Sequence, residues 1–194
     1  MKKALVLMLC LTLFGGILLQ DFENRVNADA SLSAQELADA LITKDDYRSA
    51  EFENLYFDVI INTHSPESPG FLAQSKASQA MHVFMIFDME VQCGGLATFF
   101  WNCESAYADK VSEALIELGL EDVEQLYSGF LEKYGITMEE IDGYRYEYPD
   151  YIGIHEAHPF DEFSDAYMEI WAETNLNRRV LDYAREHPEV RVGQ

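Results

Sequence analysis

From Leu72 to Gln92 the chain places Ala73, Ala77, Ala80, Met81, Phe84, Met85 and Asp88 at steps of three and four, then sets Gly94 and Gly95 before a second apolar run. Steps of three and four are the period of a helix, and paired glycines interrupt one. The pattern predicts a long helix, a break, and a short, very apolar helix from Leu96 to Trp101. Ser33-Ala34-Gln35-Glu36 is a capping-box pattern that opens a helix to about Ile42. Asp45 or Asp46 can cap a second, with Tyr47, Ala50, Leu55, Val59 and Ile60 near one face. Pro66 and Pro69 mark a loop over Thr63 to Gly70. Further helices are expected over Ala106 to Leu118, stopped by Gly119, and over Asp122 to Tyr134, stopped by Gly135. Thr137-Met138-Glu139-Glu140 is a second capping box, whereas Gly143 to Pro159 reads as irregular. Phe160 to Glu173 and Leu176 to Glu186 close the chain as helices before Pro188. No run of strand length alternates with period two. The fold class is therefore all-α: a single-domain bundle of about seven to eight helices with a Gly-Gly break before a short aromatic helix.

Residues 1–30 read as a targeting segment. Lys2 and Lys3 precede sixteen uncharged, apolar positions, Ala4 to Leu19, with no polar stripe. At about 1.5 Å per residue this run reaches about 24 Å as a helix, short of a hydrocarbon core of roughly 30 Å. Gly15-Gly16 also interrupts it, and Ala28-Asp29-Ala30 offers a small-x-small cleavage site. A signal peptide is the reading, with an uncleaved membrane anchor as the alternative. Residues 31–194 then form the folded domain, secreted or membrane-anchored on the extracytoplasmic side, touching membrane only through the N-terminal segment.

That domain is strongly acidic. Thirteen Lys and Arg stand against 35 Asp and Glu, a formal net charge of −22, and residues 1–30 hold three of each sign. Such a field repels nucleic acid and attracts basic proteins. Direct nucleic-acid binding is not expected, and a basic protein partner is. A solvated, purely solubilising surface is the competing explanation.

Catalytic signatures are sparse. The sequence has no phosphate-binding glycine loop, no Gly-x-Ser-x-Gly and no HExxH helix. His155-Glu156-Ala157-His158, with Asp161 and Glu162 after it, is the one metal-like cluster, and it reads better as an exposed polar turn. Asp88 and Glu90 flank the apolar centre. Burial could raise either pKa toward general-acid use, but a carboxylate capping the glycine break through backbone N–H groups is the preferred reading. Cys93 and Cys103 are expected to be unbridged, buried thiols, because a helix between them would hold their Cα atoms roughly 13 to 15 Å apart. No catalytic residue, cofactor or metal is assigned, and the chain is read as a non-enzyme.

The segment Glu90-Val91-Gln92-Cys93-Gly94-Gly95-Leu96-Ala97-Thr98-Phe99-Phe100-Trp101-Asn102 resembles the signature of the acidic DNA-mimic protein family of the DMP19 type. Glu90, Val91, Gly94, Gly95, Phe99, Phe100 and Asn102 match it. Cys93 stands where the family usually has Asn, and Leu96 where it usually has Phe. Leu115-Ile116-Glu117-Leu118-Gly119 and the stretch Phe160 to Tyr167 are also similar, so the resemblance covers about residues 72–187. The matched residues read as structural: a glycine corner, Phe99, Phe100 and Trp101 filling the core, and Asn102 capping the next helix. The resemblance implies an all-α fold and, in the characterised member, a dimer whose carboxylates imitate DNA phosphates to occupy a transcription factor.

The sequence thus predicts an exported, acidic, helical binding protein with a basic partner. One alternative is a true DNA mimic that blocks a DNA-binding protein. A second is an extracellular carboxylate-dependent enzyme using Asp88 or Glu90.

Overall fold

A computed structural model describes residues 65–190 together with Phe52, Asn54, Leu55 and Val59. The apolar N-terminal run, the helix expected after Ser33 and most of the next one lie outside the described residues. Leu55 and Val59, assigned to one face of that second helix, are helical and buried.

Eight α-helices follow in residues 65–190: α1 (Pro69–Leu72), α2 (Lys76–Ala108), α3 (Val111–Glu117), α4 (Glu121–Tyr134), α5 (Met138–Glu147), α6 (Tyr151–Ile154), α7 (Phe160–Glu173) and α8 (Leu176–Glu186). A 3-10 turn, Pro188–Val190, completes them, and no strand occurs among the described residues. The fold is an all-α single-domain bundle. Helix α2 runs through its middle and packs against α3, α5, α6 and α7. By length and mean hydropathy alone α2 could cross a membrane, but 67% of its most apolar window is buried inside the bundle. It is the core helix.

Polar side chains cap four of the eight helix N-termini. Ser68, Ser75 and Thr137 accept from the N–H groups of Phe71, Ser78 and Glu140, and Asp150 accepts from Ile152 and Gly153. Gly119 and Gly135 take positive φ at the ends of α3 and α4, the left-handed geometry expected there. Two sequence expectations are corrected. Pro69 occupies the first position of α1, where its missing N–H costs nothing, so the expected loop ends in a turn of helix. About half of Gly143 to Pro159 is helical, in α5 and α6. Ile141 and Tyr144 share one buried face of α5, and Tyr144, only 1% exposed, packs against Phe100 and Phe160. That burial outweighs the weak helix propensity of Gly143.

Helix α2 is bent twice. Gly94 and Gly95 leave helical geometry, and Gly95 has φ 78° and ψ 177°, a region open essentially to glycine. The corner reverses the direction in which side chains point, so Phe87 before it meets Phe99 after it edge to face, 5.2 Å between centroids. Phe87 also meets Tyr127 of α4 and Tyr167 of α7. Phe100 carries the same aromatic core toward Tyr144 and Phe160. The second bend is at Glu104, a non-glycine residue with φ 56° and ψ −168°. Helix α5 clamps it from outside. Arg145 donates to the carbonyls of Trp101 (2.8 Å) and Asn102 (3.3 Å) and pairs with Glu104 at 2.7 Å. Asp142 accepts from the Ser105 N–H and hydroxyl at 3.0 and 2.9 Å, capping the helix that restarts there.

The Gly95 corner has no room for a side chain. A Cβ there would lie 2.8 Å from the Ser164 hydroxyl of α7, which itself accepts from the Leu96 N–H. Gly95→Val therefore combines a forbidden φ with a clash and is expected to destabilise the domain by at least about 2 kcal/mol in denaturant melts. A change under about 0.5 kcal/mol would show that the corner is not constrained.

Candidate functional site

The motif residues assemble a corner. Glu90, before the glycines, and Asn102, after the aromatic turn, are brought together: the Asn102 amide donates to the Glu90 carboxylate at 2.7 Å. They staple the two arms of the bend. Asn102 thus does not cap the next helix as expected; Asp142 of α5 does. Val91, Phe99 and Phe100 are buried, and Thr98 closes the turn by donating to the Gly94 carbonyl at 2.6 Å. Trp101 does not fill the core with them. It is half-buried, with the Arg145 guanidinium 6.0 Å from its ring.

Asp88 lies one and a half turns before the corner, buried at 3% exposure in the aromatic core. Its carboxylate accepts from the Tyr167 hydroxyl at 2.5 Å and from the Gln92 amide at 2.7 Å. Both donors reach one oxygen, Oδ1, and the expected capping of the glycine break by backbone N–H groups does not occur. Burial pushes its pKa up to about 6 against the lowering effect of these two donors. Burial likewise raises that of half-buried Glu90, again opposed by its hydrogen bond from Asn102. A small groove of about 110 Å³ lies elsewhere, between α1, α2 and α3, floored by Phe71, Ala80, Val83 and Ala114. Neither Asp88 nor Glu90 lines it.

The histidines of the metal-like run separate. His155 faces Asp161 at 3.7 Å, whereas His158 meets Glu140 of α5 at 2.6 Å, a carboxylate that also accepts from Tyr144. Each imidazole has its own acidic partner, and among the described residues no group of three His, Cys, Asp or Glu converges. Cys93 and Cys103 are not joined to each other, and both are half-buried where full burial was expected, because each lies near a bend of α2.

The charge distribution is the feature that remains. Residues 65–190 contain seven Lys and Arg against 25 Asp and Glu. Six of those cations are already committed. Lys110 pairs with Asp109, Lys133 with Glu162, Arg145 with Glu104, and Arg178 and Arg185 both with Asp182. Arg179 grips Asp122 through two nitrogens at 2.7 and 2.9 Å and donates to the Gly119 carbonyl, tying α8 to the start of α4. These bonds hold the Asp122 carboxyl below the usual carboxylate range. Asp161, Asp165, Glu169 and Glu173 meanwhile lie exposed at every fourth position of α7. A helix advances about 6 Å in four residues, so they form one ridge about 18 Å long. The ridge has no counterpart in the sequence motif. The repeat of acids four apart was visible in the sequence, but only the buried Phe160, Phe163 and Tyr167 opposite show which face it occupies.

Fold and surface together define a helical acidic protein in which six of the seven described Lys and Arg pair with its own acids. The DMP19-like protein family profile matches residues 73–187, more than half of the chain, and the chain belongs to that family. Comparisons with curated proteins and with solved structures found no match.

Proposed function

We propose that this protein is a non-catalytic acidic binding protein that engages a basic partner through carboxylates on its helix surfaces. Residues 1–30 export it, as a signal peptide or as an anchor facing outward. The observation that carries the binding reading is the α7 ridge, set in a surface whose cations are almost all neutralised by neighbouring acids. Arg and Lys of a partner would meet carboxylates that no Lys or Arg among the described residues pairs with, Asp161 alone facing an imidazole, that of His155. Asp88, the most perturbed carboxylate, speaks for the same reading, because it is enclosed by Tyr167, Gln92 and the aromatic core away from the groove.

Magnitudes limit how closely such a surface can copy a duplex. Four carboxylates on the ridge span about 18 Å, a length over which duplex DNA carries about ten charges. The ridge alone supplies attraction and orientation; the rest of the field must come from acids on other helices. Membership of the DMP19-like family favours a second reading, in which this surface occupies the DNA site of a DNA-binding protein. The two readings share the surface and differ in the partner.

Affinity for a panel of purified basic DNA-binding proteins, measured from about 50 to 300 mM salt, tests the proposal. Binding is expected to weaken steeply over that range, since a Debye length of about 8 Å at physiological salt screens exposed charges. Tight binding that is flat in salt, or a preferred partner that is itself acidic, would contradict it. Fractionating cells that express the full chain tests export: the protein is expected in the extracytoplasmic or membrane fraction, and intact chain confined to the soluble cytoplasm would contradict this.

A further inference from the structure

Asp88 combines three features that structural carboxylates seldom share. It is enclosed in the aromatic core, it has no cation partner among the described residues, and its two hydrogen bonds reach different places. The bond from Gln92 stays within its own helix, while the bond from Tyr167 crosses to α7. Tyr167 is itself fully enclosed and stacked on Phe163, so its hydroxyl cannot turn to water without α7 moving. The other polar groups nearby are committed elsewhere: Glu90 on the same helix bonds Asn102, Ser164 of α7 bonds the Leu96 N–H and the Phe160 carbonyl, and Tyr127 of α4 donates to the Ala108 carbonyl. Among the described residues, nothing in this shell neutralises an ionised Asp88.

We propose that Asp88 is a proton-controlled latch between α2 and α7: neutral, it holds α7 closed against the helix leading into Gly94; ionised, it favours openings of that contact that let water reach the carboxylate.

The direction follows from linkage. The carboxyl titrates near 6 when enclosed and returns toward 3.8 when hydrated. The stabilisation of the closed form is therefore complete below the lower value and lost as pH rises through the upper one. A displacement of about two units changes the opening equilibrium about a hundredfold in all, of which about tenfold falls between pH 5 and 7.5. The contribution runs opposite to that of Asp122, whose lowered pKa stabilises the fold above the usual carboxylate range and is lost in acid.

Amide hydrogen exchange on the full chain at pH 5 and 7.5, corrected for the intrinsic pH dependence of exchange, reads the latch directly. In the wild type, protection along α7 and the adjoining part of α2 is expected to fall about tenfold more than in α4 and α8. In Asp88→Asn, which keeps an acceptor for Tyr167 without the charge, that local loss should vanish. In Tyr167→Phe, which removes a donor that steadies the ionised form, the loss should be larger and extend to higher pH. Equal pH responses in wild type and Asp88→Asn would overturn the latch. So would a loss spread evenly over all helices, or, should Asp88→Asn not fold, a Tyr167→Phe response no larger than that of the wild type.

Discussion

The bend at Gly94 and Gly95 is the constraint from which the rest of the core follows. A straight α2 would send Phe99 and Phe100 away from Phe87, and the rings of α4, α5 and α7 would have nothing to close upon. Gly95 makes the bend because its φ is open to glycine and because the Ser164 hydroxyl of α7 occupies the space a Cβ would need. The Glu90–Asn102 hydrogen bond then fixes the angle between the arms, and Ser164 reads it from α7 through the Leu96 N–H. Hinge, staple and aromatic wedge are one device, and most of the motif residues belong to it.

The second bend shows the same division of labour. Glu104 holds a backbone conformation that costs a non-glycine residue roughly 1–3 kcal/mol. Arg145 and Asp142, one turn apart on α5, satisfy the carbonyls before it and the N–H after it. The core is thus stapled by polar groups at its edge, and the cations used there and in the Arg179 bridge are withdrawn from the surface. Among the described residues, Arg145 and Arg179 are thus spent on architecture. The acids left over define the outside of the molecule, α7 in particular, and this connects the fold to the proposed function.

Much of the architecture was legible from periodicity and punctuation. Gly119 and Gly135 end their helices as their positions suggested, and α7 and α8 match the closing helices predicted from Phe160 and Leu176. What escaped was decided by distant contacts. Gly143, Pro149 and Gly153 made the α5–α6 region look irregular, but Tyr144 buries itself against Phe100 from the far side of the sequence. Asn102 and Asp88 were read with local roles as caps, whereas their partners lie twelve and seventy-nine residues away. A residue able to bond its neighbours gives no local sign when it bonds elsewhere. The acidic character was plain in the composition, while the ordering of acids along α7 needed the opposite face of that helix to be known.

The account rests on the claim that placement of carboxylates, beyond their total number, recruits the partner. Two double variants of equal net charge separate these terms: Asp165→Lys with Glu169→Lys on the α7 ridge, and Glu67→Lys with Glu113→Lys at exposed positions off it. Affinity for one basic DNA-binding protein that binds the wild type, measured at one fixed salt concentration, gives the comparison. Placement predicts that the ridge variant loses about tenfold or more in affinity while the other stays within about threefold of wild type, a gap of order 1 kcal/mol. Equal losses in both variants would show that net charge alone attracts the partner, and the α7 ridge would then have no special role.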